Sequence, residues 1–344
     1  MAVLGSVLSM VGASRPLSMA RNSLFCMMLC SPAAAAEVEW ELPVQWPESN
    51  FMTEIIREYA AEVESRSNGE IQLNVQSGGA LGVTGPDLMG AIRSGVFKIG
   101  EYSLAQAVGE VPIFGLERLP GLYEDYEAFA VFQAVAEPYF QKELAENNQL
   151  MLFNVPWPWT HVHTSIPIDS LADMEGMKIR TFDPFGTSFY QKLGASPIQM
   201  PWAEVLPALA SGALDGVHTS ASSAVDGKFW EFLQGTELLG PQTSTSGLFI
   251  NLNALNGLSE EHREIILSTA QDMQVGFWLR SQSDENNKIS ELTSNGMYVE
   301  PAPNDVKERA NLAANEIAEE FVESTPAARE IVEKYFTLRG RTSD

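Results

Sequence analysis

Along residues 37–103 the spacing of hydrophobic and polar positions switches repeatedly between two periods. "EVEWELPVQW" (37–46) alternates, the spacing of a half-buried strand. "SNFMTEIIREYAAEVESRSNG" (49–69) sets Ile55, Ile56, Tyr59, Ala60 and Val63 at helical spacing, with Ser49 or Asn50 as the cap and Gly69 as the stop. "EIQLNV" (70–75) alternates again, and "SGGALG" (77–82) is a glycine-rich turn. "GPDLMGAIRSG" (85–95) reads as a helix with Pro86 in its first turn, and "VFKIGEYS" (96–103) as a third strand. Strand–helix–strand–helix–strand predicts an open, mostly parallel sheet.

The order returns further on. "MKIRTF" (177–182) is a strand and "DPFGTSFYQKLG" (183–194) a helix. "SPIQM" (196–200) is a strand, "PWAEVLPALASG" (201–212) a helix, and "ALDGVHTS" (213–220) leads through another strand. "AIRSGVFKIG" (91–100) and "ALASGALDGV" (208–217) both close a helix with A-x-x-S-G before a strand, so two similar lobes are expected. The tail is helical over 259–296, 304–325 and 326–336, and the first of these, capped by Ser259 and free of proline, is long enough to cross both lobes. Gly, Pro and Ser cluster nowhere between the lobes, so the chain is expected to cross more than once through strands that act as a hinge.

Charge narrows the partners. The chain carries 21 basic and 45 acidic residues, a net charge of -24, which argues against nucleic acid and against anionic membranes. The first 36 residues hold two charges, Arg15 and Arg21, then the apolar "SLFCMMLC" (23–30) and the small residues "SPAAAA" (31–36). This is the pattern of a secretory signal peptide cleaved near Ala36, with Met19 as an alternative start and an apolar run too short to span a bilayer. Cleavage would leave 19 basic and 45 acidic residues, a net -26. It would also remove both cysteines, Cys26 and Cys30, and with them any disulfide or thiol nucleophile. An exported chain with no anchor and no direct membrane insertion fits the periplasm.

Enzyme signatures such as G-x-G-x-x-G, G-x-S-x-G and H-E-x-x-H are missing, and nothing calls for a cofactor. "THVH" (160–163) puts His161 and His163 on one strand face, and His218 would be a third metal ligand if its strand lay alongside; the alternative is histidines satisfied by hydrogen bonds. "PWPWTH" (156–161), with Trp46 and Trp202, supplies either core or a cleft wall. Arg180 lies close to the end of its strand, where "DPFGTS" opens a helix. That is where open sheets bind ligands, and a guanidinium beside a helix N-terminus favours an anion. The competing reading is a surface arginine paired to Asp183 or a nearby glutamate.

Residues 170–216, "SLADMEGMKIRTFDPFGTSFYQKLGASPIQMPWAEVLPALASGALDG", resemble the signature region of the substrate-binding proteins of TRAP transporters, the DctP family. "NGEIQLNVQSGGALG" (68–82), "AIRSGVFKIGEYS" and "LPGLYED" (119–125) follow the family in the same order, so the resemblance covers essentially the whole mature chain. It implies a two-lobed α/β periplasmic binding protein fold, type II-like, with crossover hinge strands and a long C-terminal helix along both lobes. It implies a receptor that closes over a small organic acid and delivers it to the membrane subunits of a TRAP permease. The family's carboxylate-clamping arginine falls on Arg180. Thr160 stands where sialic-acid-type members carry a second arginine, and Thr219 where many members have asparagine.

The expected boundaries are a signal peptide over 1–36, a first lobe of 37–160 plus about 245–285, and a second lobe of 161–244 plus about 286–344. The expected ligand-binding set is Arg180, Thr160, Thr219, Ser220, Trp46, Trp157, Trp159, Phe182, Phe185 and Asn50. With Arg118 assigned to a distant loop, no second cation serves the pocket, and the preferred ligand is a monocarboxylate with an aromatic or short aliphatic body. Two alternatives stand beside this reading: an ABC-type periplasmic binding protein, and a secreted metal-dependent hydrolase using His161, His163 and His218.

Overall fold

The computed structural model describes residues 36–83, 85–119, 122–123, 125–239 and 242–340; the expected signal peptide, save Ala36, lies outside them. The first lobe starts with β1 (Val38–Pro43), α1 (Phe51–Arg66), β2 (Ile71–Gln76), α2 (Asp87–Arg93), β3 (Ile99–Ser103), α3 (Tyr126–Glu146) and β4 (Gln149–Pro156). α1 shows why these residues fold as they do. Asn50 Oδ1 accepts the Met52 N–H at 2.9 Å, the helically spaced Ile55, Ile56, Tyr59, Ala60 and Val63 are all buried, and Gly69 adopts φ 85° beyond the end.

The second lobe holds β5 (Thr160–Thr164), β6 (Ile179–Thr181), α4 (Pro184–Lys192), β7 (Ile198–Gln199), α5 (Trp202–Ala210), β8 (Gly216–Ser220), α6 (Ala221–Asp226) and β9 (Gly235–Leu238). β10 (Thr245–Asn251) and α7 (Leu252–Asn256) return to the first lobe. α8 (Glu260–Ser294), β11 (Tyr298–Pro301), α9 (Asn304–Ser324) and α10 (Pro326–Leu338) follow.

The sheets are mixed rather than mostly parallel. The first lobe has the parallel pair β1–β2 and the sheet β3-β10-β4, in which β10 runs antiparallel to both neighbours. The second has the order β11-β9-β5-β8-β6-β7, in which β5 runs antiparallel to β8 and β9. Its other ladders, β9–β11, β6–β7 and β6–β8, are parallel. The two reversed strands, β5 and β10, are the ones that carry the chain from one lobe to the other. A strand arriving from the neighbouring lobe enters its sheet against the local direction, which strand–helix alternation cannot announce.

The two crossings run side by side and are tied together. Trp157 N–H donates to Ser244 O at 2.9 Å, and Thr160 N–H donates to Gln242 O at 2.8 Å. The Thr243 hydroxyl donates to Trp157 O at 2.6 Å. α8, at 35 residues about 52 Å long, lies along both lobes. Its Gln274 and Trp278 donate to Asn154 O of β4, and its Glu285 meets His161 of β5. α9 packs on α4 of the second lobe, but α10 packs on α3 of the first. The tail therefore returns across the molecule, where 286–344 had been expected to stay with the second lobe. Its buried Ile331 and Tyr335 explain this, since they complete the apolar cluster around Phe132 and Phe140. The main apolar core runs through the junction itself, where Trp46, Trp157 and Trp202 join Phe153 to Phe229.

Candidate functional site

A cavity of about 380 Å³, counted to its open mouth, lies where the two lobes meet. Trp46, Ser103 and Gln106 line it from the first lobe, and Trp157, Thr160 and Ser244 from the crossings. Arg180, Phe182, Thr219, Ser220 and Ser223 line it from the second lobe. Seven of the ten expected residues meet here: Arg180, Thr160, Thr219, Ser220, Trp46, Trp157 and Phe182.

Arg180 is the one charged side chain among the described residues of this lining, and the residue is only 2% exposed. Its Nε donates to Met200 O at 3.1 Å and its Nη1 to His218 O at 3.4 Å. Both acceptors are neutral carbonyls. No ion pair involving Arg180 forms among the described residues, so the surface pairing to Asp183 considered from sequence does not occur. Burial pulls the guanidinium down to about 9, with the nearby Asp183 charge working the other way. A buried cation held by carbonyls alone retains donors for an anion.

The tryptophans present ring surface because their N–H groups are engaged elsewhere. Trp157 Nε1 donates to Ser246 Oγ at 2.8 Å, and Trp46 Nε1 donates to Glu101 Oε1 at 3.2 Å. The two indoles pack with centroids 4.4 Å apart. Glu101 is fully buried, and desolvation pushes its carboxyl up to about 7. Arg180 Cζ lies 5.8 Å from the Phe182 ring centroid and 5.9 Å from that of Trp202.

Three expected residues are not in the lining. Trp159 stacks on Tyr126 with centroids 4.4 Å apart, covering the start of α3. Phe185 packs against Phe321 of α9 and onto Gly115, where an added Cβ would lie 2.5 Å from its ring. Asn50 caps α1, and its amide donates to Asp226 Oδ2 of α6 at 2.5 Å, a contact between the lobes.

Arg118 also needs correction. It is not distant: its Nε meets Asp183 Oδ2 at 2.6 Å, with side chains 1% and 0% exposed. Its Nη1 donates to Thr243 O at 2.8 Å, and its Cζ lies 4.9 Å from the Phe182 ring. Neutralised by Asp183, it acts behind the cavity wall.

The histidines do not assemble a metal centre. On the β5–β8 ladder Thr160 faces Ser220, His161 faces Thr219, and Val162 faces His218. Alternation therefore puts His218 on the opposite face from His161 and His163. His161 Nε2 pairs with Glu285 at 2.9 Å, His163 Nδ1 with Thr236 Oγ1 at 2.8 Å, and His218 Nε2 with Thr160 Oγ1 at 3.0 Å. Burial pulls His163 down to about 3 and His218 well below its ordinary value. Among the described residues, the three ligand-type groups that converge are Glu37, Glu70 and His262, none of them from this set.

Ser103, Gln106, Ser223 and Ser244 were missed. Ser103 and Gln106 sit at the end of β3 and in the 3₁₀ turn Leu104–Ala107. A strand end in the first lobe was the one available signal, by the rule already applied to Arg180.

The family model described as bacterial extracellular solute-binding protein, family 7 (DctP) matches residues 44–325. A solute-binding protein of Albidiferax ferrireducens is 27% identical over 179 residues, 52% of this chain and 53% of that protein. The 2,3-diketo-L-gulonate-binding periplasmic protein YiaO of Escherichia coli is 24% identical over 275 residues, 78% of this chain and 83% of YiaO. A TRAP solute-binding protein from an unidentified marine microbe, specific for pyroglutamate, superposes with a TM-score of 0.85 at 25% identity, covering 88% of this chain and 99% of that one.

Proposed function

The chain belongs to the bacterial extracellular solute-binding proteins of family 7, the DctP receptors of TRAP systems, and on that premise we propose that it captures a small monocarboxylate on Arg180. Members of this family are solute receptors rather than enzymes. In this reading the bound acid closes the two lobes, and the closed receptor hands it to a membrane permease. Among the described residues no helix is long and apolar enough to cross a membrane.

The observation that carries the reading is the buried guanidinium of Arg180, held by two carbonyls and no carboxylate, in the wall of a small cavity. A carboxylate matches the guanidinium fork and replaces the hydration lost on burial. With no second cation among the described residues of the lining, a second carboxylate on the ligand would be buried unpaired, at a cost of several kcal/mol. Trp46, Trp157 and Phe182 offer ring surface to a flat apolar body. The pyroglutamate specificity of the marine neighbour supports a compact monocarboxylate of this kind.

Calorimetric titration with pyroglutamate, beside a thermal-shift series of other monocarboxylates, tests the reading. Removing one partner of a desolvated charge pair costs about 2–5 kcal/mol. Arg180→Lys, which keeps the charge and loses the fork, is expected to weaken binding at least about thirtyfold. An acid that binds Arg180→Lys within about threefold of wild type would remove Arg180 from the role of clamp.

A further inference from the structure

We propose that the carboxamide of Gln106 decides what the far end of the ligand can be: an uncharged hydrogen-bonding group is accepted and a second carboxylate is refused. The inference rests on Arg180 holding the first carboxylate. Gln106 and Arg180 line the same cavity from opposite lobes, Gln106 from the turn after β3 and Arg180 from β6. The ligand end away from Arg180 therefore meets the Gln106 side of the wall when the lobes are together.

Gln106 is a built feature of that wall and not a loose surface amide. It is 8% exposed, and Gln45, itself 3% exposed, holds it from both atoms. Gln45 Nε2 donates to Gln106 Oε1 at 3.0 Å, and Gln106 Nε2 donates to Gln45 Oε1 at 3.3 Å. A carboxamide can donate twice and accept twice. The reciprocal pair uses one donor and one acceptor of Gln106, and no other protein partner takes the remainder among the described residues. One N–H and one lone pair are left beside the cavity. They suit an amide, a hydroxyl or a ketone. They do not suit a carboxylate, whose charge a single amide N–H cannot offset where the described residues of the wall supply no cation on that side. Ser103, which lines the cavity from the same lobe, donates its hydroxyl to Thr245 O at 3.2 Å and so presents acceptor character there.

The test is a change of selectivity, which a merely structural role for Gln106 would not produce. Affinities for succinate and pyroglutamate are measured by calorimetry on wild type, Gln106→Arg, Gln106→Lys and Arg180→Lys, with melting curves confirming that each variant folds. Supplying a cation opposite Arg180 is expected to raise succinate affinity at least about tenfold in Gln106→Arg or Gln106→Lys, while pyroglutamate affinity falls. The proposal is overturned if neither folded variant gains succinate affinity, or if wild type already binds succinate as tightly as pyroglutamate. Arg180→Lys separates the two levels of the argument. If it leaves all binding intact the carboxylate clamp itself fails, whereas intact sensitivity to Arg180 with unchanged selectivity in the Gln106 variants sinks this proposal alone.

Discussion

The buried pair Arg118–Asp183 should be among the most expensive single contacts to break in this protein, and the structure says why. Arg118 ends a 3₁₀ segment of the first lobe, Pro112–Arg118, while Asp183 caps α4 of the second. Both side chains are essentially dry, and the ions sit 2.6 Å apart. The other oxygen of Asp183 accepts the Gly186 N–H at 2.6 Å, and Arg118 also donates to Thr243 O in the returning crossing. Removing one partner of such a pair leaves a buried charge without its counter-ion, at about 3–5 kcal/mol. Asp183→Asn keeps a capping oxygen for Gly186 and should cost about that much. Asp183→Ala also loses the cap, a further ~1 kcal/mol. Arg118→Met strands the aspartate and should cost a similar 3–5 kcal/mol. The double variant Arg118→Met/Asp183→Asn has no charge left to strand, so most of the penalty should return. Denaturant unfolding of the four proteins closes the cycle. Single substitutions costing under about 1 kcal/mol, or a double variant whose cost is the simple sum of the singles, would refute the reasoning.

Two further outcomes can be checked. Glu101 is pushed up to about 7 by desolvation, so between 4.5 and 7 the folded state holds a proton that the unfolded state has released, and stability falls as pH rises through that window. Glu101→Gln should therefore be more stable than wild type at pH 8, by at most roughly 3 kcal/mol, and lose that advantage near pH 4; His163, held down to about 3, works in the opposite sense below 6.5 in both proteins and cancels from the comparison. If ligand capture closes the lobes about the paired crossings, small-angle scattering should give a smaller radius of gyration at saturating pyroglutamate, and an unchanged radius with binding confirmed would favour a preformed pocket.

The second lobe was the more legible half. The period-two run ending in Asp183 and Pro184 fixed β6 and the start of α4, and hence the place of Arg180 at a strand end. What hid was everything decided between distant segments. β4 and β10 are buried on both faces over much of their length, so they show no alternation to read. Arg118 could not be placed because its partner lies 65 residues away across the cleft. Gln106 was invisible because "LAQA" forms a 3₁₀ turn with no period, and its significance comes from Gln45, 61 residues earlier. Trp159 and Phe185 were misjudged for a related reason. Proximity in sequence to Trp157 and Phe182 suggested a shared wall, but their rings turn to Tyr126 and Gly115 instead.

In the reading proposed above, a chain of net charge -24 takes an anion because range and burial separate the two effects. Exposed carboxylates act through water and salt, and beyond a Debye length of about 8 Å their repulsion is largely screened. Arg180 acts at contact from a dry wall. Its solvation has been surrendered on folding, at a cost visible in the lowering of the guanidinium to about 9. The carbonyls of Met200 and His218 return only part of that loss. In that reading an arriving carboxylate restores a stabilisation that the guanidinium otherwise lacks, while a neutral solute of the same shape leaves it short of an acceptor. The tethered indoles act on the rest of the molecule. With their N–H groups committed to Glu101 and Ser246, Trp46 and Trp157 can reward apolar area but cannot trade a hydrogen bond with a polar body. Charge at one end and flat apolar surface behind it follow from where Arg180, Trp46 and Trp157 spend their polar atoms, and the net charge of the protein does not enter.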